Sequence, residues 1–166
     1  MTDIRPARPG DADALAQIHV DAWAETYPGL LPAVALAQFD LPTRRAWWTC
    51  QLEKGTTRIR LAPGLGFAEM GPQRDPRLAP RWPEELYALY VLRRAQGTGL
   101  GRRLLAAVDA GRPFTALVLE GNARAARFYE KSGARFAERR KLDDGWPDDL
   151  LYAWDRGSAD GAHHEG

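Results

Sequence analysis

The residues with the clearest capacity for chemistry form a glycine-rich segment from Leu92 to Leu104. Gly97, Gly99 and Gly101 occupy alternate positions in it, between an apolar stretch that predicts a strand and a leucine- and alanine-rich stretch that predicts a helix. At the start of a helix the backbone amides lack partners, the helix dipole attracts anions, and glycine leaves room for a ligand. With four arginines beside it, this turn is predicted to bind a phosphate-bearing group.

Two common phosphate-binding motifs do not match the spacing of these glycines. A P-loop has its second glycine at the sixth position counted from the first, where this chain has Arg102. A dinucleotide-binding fingerprint places its third glycine five positions after the first, whereas Gly101 follows Gly97 by four. A turn that serves only the close packing of a helix on a strand is the alternative that the residues leave open.

A second informative segment runs from Gly121 to Gly133 and predicts a helix. Asn122 and Tyr129 are seven residues apart, which is two helical turns, so their side chains lie on one face. Two alanines one turn before Tyr129 are small, and a narrow, chain-like ligand can therefore lie along this face and reach the phenol. Alternatively, Tyr129 packs the helix against the core, which is the commoner role of a single tyrosine.

The composition is that of an ordinary globular protein of 166 residues, with 45% hydrophobic and 27% charged residues. We expect one domain over residues 2–155 and a disordered tail over residues 156–166.

The net charge of +1 provides no electrostatic case for binding nucleic acid or a membrane surface. The single cysteine, Cys50, excludes an internal disulfide and a cysteine zinc site, and no metal site is predicted. The lack of a long apolar segment and of a signal-peptide pattern predicts a cytoplasmic protein.

Hydrophobic patterning predicts, in order, a strand, two helices, three strands, a helix, a strand, a helix and two strands. Prolines concentrated between Pro72 and Pro83 predict an irregular loop before the third of the consecutive strands. That strand, Leu86–Leu92, is apolar on both faces, which is typical of a central strand covered by helices on both sides. We therefore expect a mixed α/β protein of layered architecture.

Taken together, these motifs resemble the GNAT family of acyl-CoA-dependent N-acetyltransferases. The resemblance covers Thr2 to about Trp154 in the family's order, and one of its segments is similar to the first-helix region of many bacterial members. It implies a mostly antiparallel central sheet with a splayed parallel pair of strands and helices on both faces. The matching segments are Gln96-x-x-Gly99-x-Gly101, the helix with Asn122, Ala126, Tyr129 and Gly133, the strand Leu86–Val91, and Trp23–Pro32.

The resemblance also implies acetyl-CoA as the cosubstrate. Its pantetheine arm would lie in the opening between the two parallel strands, paired with the backbone of the central strand, and an amide there would polarise the thioester carbonyl. The amides of the glycine turn would hold the pyrophosphate, and Asn122 would hydrogen-bond the arm. The residues implied in binding it are Leu89, Tyr90, Val91, Gln96, Gly97, Thr98, Gly99, Leu100, Gly101, Arg102, Asn122 and Tyr129.

The mechanism implied by the resemblance is direct attack of a neutral amine on the thioester. An amine with a pKa of about 10 must first lose a proton, and the departing thiolate must be stabilised or gain one. Tyr129, whose phenol stays protonated at pH 7, is the predicted general acid. Glu85, at the start of the central strand, is the predicted general base. The competing candidates for the base are Glu84, Glu69, Glu120 and His19.

The acceptor is predicted to be a primary amine of a small molecule or of a protein, with Trp23, Tyr27 and Trp82 lining its side of the site. Family members that acetylate protein N-termini carry a glutamate five residues before the asparagine, where this chain has Leu117. Two other functions fit the residues: a non-catalytic acyl-CoA sensor and a nucleotide-binding α/β domain of another class. The protein is expected to be a monomer or a homodimer.

Overall fold

The computed structural model describes residues 2–142 and 145–156. From position 157 onward the expected tail lies outside the described residues, as do Asp143 and Asp144 of the predicted last loop. None of the helices in this part of the chain is long and apolar enough to cross a membrane. The elements are β1 (Arg5–Pro6), α1 (Ala12–Thr26), α2 (Ala33–Ala37), α3 (Leu41–Lys54), β2 (Arg58–Ala62), β3 (Gly66–Pro72), β4 (Glu84–Val91), α4 (Leu100–Val108), β5 (Phe114–Leu119), α5 (Ala123–Lys131), β6 (Arg135–Arg140) and β7 (Asp149–Trp154).

The strands of the described residues form one seven-stranded sheet in the order β1-β2-β3-β4-β5-β7-β6. All neighbouring strands are antiparallel except β4 and β5, which run parallel. This parallel pair is joined only from Glu84 to Leu86, whereas β5 pairs with β7 as far as Leu119. The two strands therefore splay apart beyond Leu86, and the predicted mixed sheet with its splayed parallel pair is confirmed.

Helices cover both faces of the sheet. The α4 face carries α4 and α5, and the α1 face carries α1 and α3. In α4, Leu100, Leu104 and Val108 recur every fourth residue and are buried against the sheet. On the other side, Trp48 and Phe67 are fully buried between α1, α3 and the sheet. Burial of each such side chain stabilises the fold by roughly 1.5–3 kcal/mol.

Strand β4 begins two residues before its predicted start because two glutamates are buried against arginines. Glu84 bonds to Arg58, and Glu85 bonds to Arg74. The predicted strand begins only at Leu86, since carboxylates are seldom buried without a partner. Farther along β4 the register with β3 shifts by one residue, and Tyr87 is the extra residue of this β-bulge.

Helix α3 has well-formed caps at both ends. The side chain of Asp40 accepts a hydrogen bond of 2.8 Å from the amide of Thr43, which satisfies one of the unpaired amides of the first turn. Gly55 ends the helix with a φ of +62°, in the left-handed region that favours glycine. These caps fix the two ends of the helix at Leu41 and Lys54.

Candidate active site

The glycine-rich turn joins β4 to α4. Gly97 and Gly99 have φ angles of +79° and +86°, and a Cβ atom on either would meet nothing within 4 Å. Gly101 instead leaves room for a neighbouring helix, since a Cβ atom there would lie 3.3 Å from the Phe128 ring of α5. Two glycines therefore shape an open turn, and the third allows α4 and α5 to pack closely.

The backbone amides of this turn point away from protein acceptors. Gln96 ties the turn to the end of β4, because its Nε2 donates a hydrogen bond of 3.0 Å to the carbonyl of Val91. Unpaired amides at a helix start form a site for an anionic group. Within residues 2–142 and 145–156, no hydrogen bond is donated by the amides of Gly97, Thr98, Gly99, Gly101 and Arg102.

Most of the arginines that flank the turn are engaged elsewhere. Arg93, Arg94 and Arg103 each donate to a backbone carbonyl outside the turn. Arg102 is exposed, and its guanidinium makes no ion pair or hydrogen bond with the described residues. Arg102 is therefore the arginine of the turn with the most freedom to contact a bound anion.

A groove of about 790 Å³, here called the large groove, opens where β4 and β5 splay apart. Ten of the predicted cofactor-binding residues line it: Leu89, Tyr90, Val91, Gln96, Gly97, Gly99, Gly101, Arg102, Asn122 and Tyr129. Thr98 and Leu100 do not, because Thr98 turns its hydroxyl to the carbonyl of Ala95 and Leu100 is buried in the core. Three cations of α5 also line the groove and were not predicted from the sequence, although the spacing of the first two places them on one helix face. They are Arg124, Arg127 and Lys131.

Tyr129 lies in the wall of the large groove and is 7% exposed. Its ring packs edge-on against Trp154, with the ring centroids 5.2 Å apart. Burial raises the pKa of its phenol well above the ordinary value, and Tyr90 adds a smaller increase, so the phenol stays protonated at neutral pH. Its hydroxyl forms no hydrogen bond with any described residue. Tyr129 thus combines a packed ring with an available hydroxyl.

Asn122 is the N-cap of α5. Its Oδ1 accepts a hydrogen bond of 3.3 Å from the amide of Ala125, which satisfies one of the unpaired amides at the helix start. The amide nitrogen of the Asn122 side chain remains as the donor that a ligand in the groove can use.

A polar aromatic cluster borders the large groove from the side of α1. Tyr27 lines the groove, and its hydroxyl lies 3.4 Å from that of Tyr90. The Nε1 of Trp23 donates a hydrogen bond of 3.1 Å to the same Tyr90 hydroxyl. Trp82, which was expected beside them, is instead buried and donates to Asp155. The structure thus brings Trp23 and Tyr27 to the site but not Trp82.

A second cavity of about 360 Å³, here called the small cavity, lies on the α1 face beside the large groove. Leu117 of β5 borders both cavities and is 38% exposed. The two cavities therefore meet at the splayed strands. The polar residues that line the small cavity are Gln73, Arg74, Asp75, Glu85, Thr115 and Arg140.

Glu85 lies in the wall of the small cavity and is 5% exposed. Arg74 holds both carboxylate oxygens: Nη2 donates to Oε2 at 2.6 Å, and Nε donates to Oε1 at 3.1 Å. The same guanidinium stacks on the ring of Tyr87, 4.0 Å from its centroid. Because Oε2 accepts one hydrogen bond, it retains an acceptor position for a water or an amine.

The other candidate carboxylates line neither cavity. Glu84 faces α4 and is held by Arg58 through hydrogen bonds of 2.8 and 2.9 Å. Glu69 is 1% exposed, and burial raises the pKa of its carboxyl. Glu120 is exposed and pairs with Arg139 at 2.6 Å. Glu85 is thus the predicted glutamate that the structure brings beside the groove.

His19 is buried in an aromatic environment between α1, α3 and the sheet. Its Nδ1 accepts a hydrogen bond of 3.2 Å from the Nε1 of Trp48. Burial, with the charge of Arg44 as a smaller cause, lowers the pKa of His19 to about 3. The imidazole is therefore a neutral structural acceptor, and it lines neither cavity.

We expect His19 to make the stability of the fold depend on pH. Its pKa is about 6.5 in the unfolded chain and about 3 in the folded one, so only the unfolded chain binds this proton between those values. The free energy of unfolding therefore falls as the pH drops below about 6.5, by at most about 1.4 kcal/mol per pH unit. Urea titrations at a series of pH values measure this slope.

The matched variant is His19→Asn, which keeps an acceptor for Trp48 but does not titrate. We expect the part of the slope between pH 6.5 and 4 that comes from His19 to disappear in this variant. The comparison with the wild type also cancels the contribution of Glu69, whose raised pKa acts in the opposite direction. Equal slopes in the two proteins contradict the prediction.

Known proteins are similar to this chain in sequence and in fold. A family model described as an acetyltransferase (GNAT) domain matches residues 48–133. YuaI, an uncharacterized N-acetyltransferase of Bacillus subtilis, is 33% identical over 108 residues, which are 64% of this chain and 61% of that protein. The chain thus spans less than two thirds of the length of that relative.

Two solved structures have the same fold. The PaiA N-acetyltransferase of Thermoplasma acidophilum, solved with coenzyme A, has a TM-score of 0.72 and 16% identity, and the match covers 93% of this chain and 99% of that one. YncA of Salmonella typhimurium, solved with acetyl-CoA, has a TM-score of 0.69 and 22% identity, with 94% of each chain covered. With the family match over more than half of its length, the chain belongs to the GNAT acetyltransferase family.

Proposed function

We propose that this protein is an N-acetyltransferase that moves the acetyl group of acetyl-CoA to a primary amine. The observation that carries the proposal is the large groove, which combines the unpaired amides of the glycine turn, the open edge of β4 and the phenol of Tyr129. The amides can donate hydrogen bonds to a pyrophosphate, and the cations of α5 can pair with further phosphate groups. Family membership, and the related structures solved with coenzyme A or acetyl-CoA, support the same donor.

The backbone of Leu89, Tyr90 and Val91 is proposed to hold the pantetheine arm. Beyond Leu86 this edge of β4 no longer pairs with β5, so a ligand can run alongside it as an added strand, although the carbonyl of Val91 already accepts a hydrogen bond from Gln96. An amide at this edge is placed to polarise the thioester carbonyl. The side-chain amide of Asn122 donates to the arm from the opposite wall.

The proposed transfer is a single displacement. The acceptor nitrogen bonds to the acetyl carbon while the carbon–sulfur bond breaks, and Tyr129 donates its phenolic proton to the departing thiolate. The raised pKa of Tyr129 supports this role, because it keeps the phenol protonated at neutral pH. Solvent returns the proton to Tyr129 after the product leaves.

Glu85 is proposed as the base that removes a proton from the acceptor amine. It lines the small cavity, its Oε2 retains an acceptor position, and Arg74 fixes the direction of the carboxylate. Because Leu117 lies between the small cavity and the large groove, a water relays the proton from the amine to Glu85.

We expect Gly99→Ala to weaken the binding of acetyl-CoA by about tenfold, equal to about 1.4 kcal/mol. An alanine at a φ of +86° strains the turn that presents the unpaired amides, at a cost of roughly 1–2 kcal/mol. Isothermal titration calorimetry measures the dissociation constant.

Gly55→Ala is the matched control, since Gly55 also has a positive φ but lies at the end of α3 and lines neither cavity. It should lower stability and leave the affinity unchanged, whereas unchanged affinity in Gly99→Ala contradicts the prediction.

The proposed function is tested by measuring ligand-specific stabilisation and then turnover. We expect acetyl-CoA and coenzyme A to raise the melting temperature, while NAD and ATP leave it unchanged. Across a panel of small amines and peptides, release of free coenzyme A from acetyl-CoA is expected to depend on the amine. Stabilisation by acetyl-CoA without release in any mixture would instead identify an acyl-CoA sensor. Stabilisation by NAD or ATP would identify a nucleotide-binding domain of another class.

We also propose that the transfer takes place in the cytoplasm. Cys50 is a free and exposed thiol, which suits a reducing compartment. Fractionation of cells, followed by detection of the chain in each fraction, checks this location.

A further inference from the structure

Asp149 begins β7 on the α1 face of the sheet. Its backbone pairs with Leu119 of β5 on one side and with Arg140 of β6 on the other. Side chains alternate along a strand, and Leu151, two residues farther on, lines the small cavity, so Asp149 points to that same face. Leu117, which borders both cavities, lies two residues before Leu119. Asp149 therefore lies near the place where the two cavities meet, without lining either of them.

The carboxylate of Asp149 has no ion pair or hydrogen bond in the described part of the chain. Arg140, its neighbour across the strands, is turned to other carboxylates: its Nη2 donates to Asp75 at 2.8 Å, and its Nε lies 3.6 Å from Glu138. Asp149 is nevertheless partly buried. The charge of Arg140 offsets only part of the hydration that this carboxylate has lost, since its surroundings on balance raise its pKa, so binding of a further cation beside it is favoured.

The strand register carries the placement of this carboxylate, and two pKa shifts agree with it. Its charge contributes to the raised pKa of Tyr27, which lines the large groove, so Asp149 lies within electrostatic reach of the groove wall. Burial also raises the pKa of Asp149 itself, which agrees with its partial loss of water. A metal ion is a poor fit, because the described residues hold no group of three His, Cys, Asp or Glu side chains arranged as ligands. An organic ammonium group is a better fit, since a single carboxylate is enough to pair with it.

We propose that Asp149 binds a second ammonium group of the acceptor, and that the acceptor is a short diamine. The inference rests on the proposed acetyl transfer. The reacting nitrogen must lose its proton before it attacks, and Glu85 is the carboxylate already proposed for that step. Asp149 therefore serves the cation that keeps its proton throughout the reaction, at the far end of the acceptor.

Strand geometry sets the length of such an acceptor. In the proposed function the reacting amine would lie near Leu117, where the cavities meet, and Asp149 pairs with Leu119, two residues farther along β5. Two residues of a strand span about 7 Å, which matches the nitrogen–nitrogen separation of an extended diamine of about four or five carbons. The acceptor class is thus an aliphatic diamine of this length.

Calorimetric titration of 1,4-diaminobutane and of butylamine into the full chain saturated with coenzyme A tests the proposal without a need for turnover. We expect the diamine to bind at least about tenfold more tightly than the monoamine. Asp149→Asn should remove this preference and leave the affinity for coenzyme A unchanged. Asp148→Asn is the matched control, because that carboxylate accepts a hydrogen bond from Arg139. It should keep the preference.

Equal binding of the two amines, or a preference that survives Asp149→Asn, overturns the inference. Activity measurements separate this failure from a failure of the proposed function. Equal acetylation of the diamine and the monoamine keeps the transferase and overturns the role of Asp149. Diamine binding that is lost in Asp149→Asn, without acetylation of any amine, supports the cation site and overturns the transferase.

Discussion

Tyr129→Phe is expected to lower kcat by about 100-fold while leaving the dissociation constant of acetyl-CoA within about threefold of the wild type. The phenylalanine keeps the packing against Trp154, so the wall of the large groove retains its shape. What is lost is the phenolic proton that stabilises the departing thiolate. Steady-state kinetics for kcat, together with calorimetry for the dissociation constant, measure the two quantities separately.

The matched control is Tyr152→Phe. Tyr152 is a neighbouring buried tyrosine that donates a hydrogen bond of 3.3 Å to Glu130 and lines neither cavity. It should keep the wild-type kcat and lose a small amount of stability. Equal turnover in Tyr129→Phe and the wild type would reject the role of the phenol as an acid. A loss of acetyl-CoA affinity as large as the loss of kcat would assign Tyr129 to binding instead.

Glu85→Gln is expected to lower kcat/KM by about 100-fold near pH 7 and by much less near pH 10. At neutral pH almost all of an amine with a pKa of about 10 carries a proton, so its attack depends on the base. As the pH approaches that pKa, the fraction of neutral amine rises and the need for a base falls. The ratio of wild-type to variant kcat/KM should therefore shrink steadily with increasing pH, and a pH series of initial rates measures it.

Glu84→Gln is the control for this prediction, because Glu84 is the adjacent buried glutamate but faces α4. The variant weakens the ion pair with Arg58 and should lower the melting temperature without changing the pH profile of kcat/KM. If Glu85→Gln shows the same loss at every pH, its carboxylate has a structural role, and another group removes the proton.

The part of the site proposed to bind acetyl-CoA was predictable from the sequence because the residues that form it lie close together along the chain. The alternating glycines lie within one turn, and Asn122 and Tyr129 lie on one helix, so short spacings fix their relative positions. The resemblance to the GNAT family gave acetyl-CoA as the expected ligand of both segments. The structure adds that one groove is lined by both segments.

The part of the site proposed to bind the amine was harder to predict, because it is formed by contacts between residues far apart in the sequence. Glu85 is buried through Arg74, which belongs to a loop whose course no local pattern specifies. The position of Asp149 beside β5 depends on a strand order in which β7 lies between β5 and β6. The ion pair between Arg140 and Asp75 likewise joins distant segments. Only the folded chain brings these charges together.

A single-turnover experiment tests most directly the central claim that the acetyl group passes in one step from the thioester to an amine. The protein in excess is mixed with acetyl-CoA labelled in its acetyl group, with and without a primary amine. We predict that the label stays on coenzyme A without the amine and moves fully to the amine when it is present. The protein should stay unlabelled, because Cys50, the chain's single cysteine, lines neither cavity. Label on the protein, or bound acetyl-CoA that transfers its acetyl group to no amine, would contradict the account.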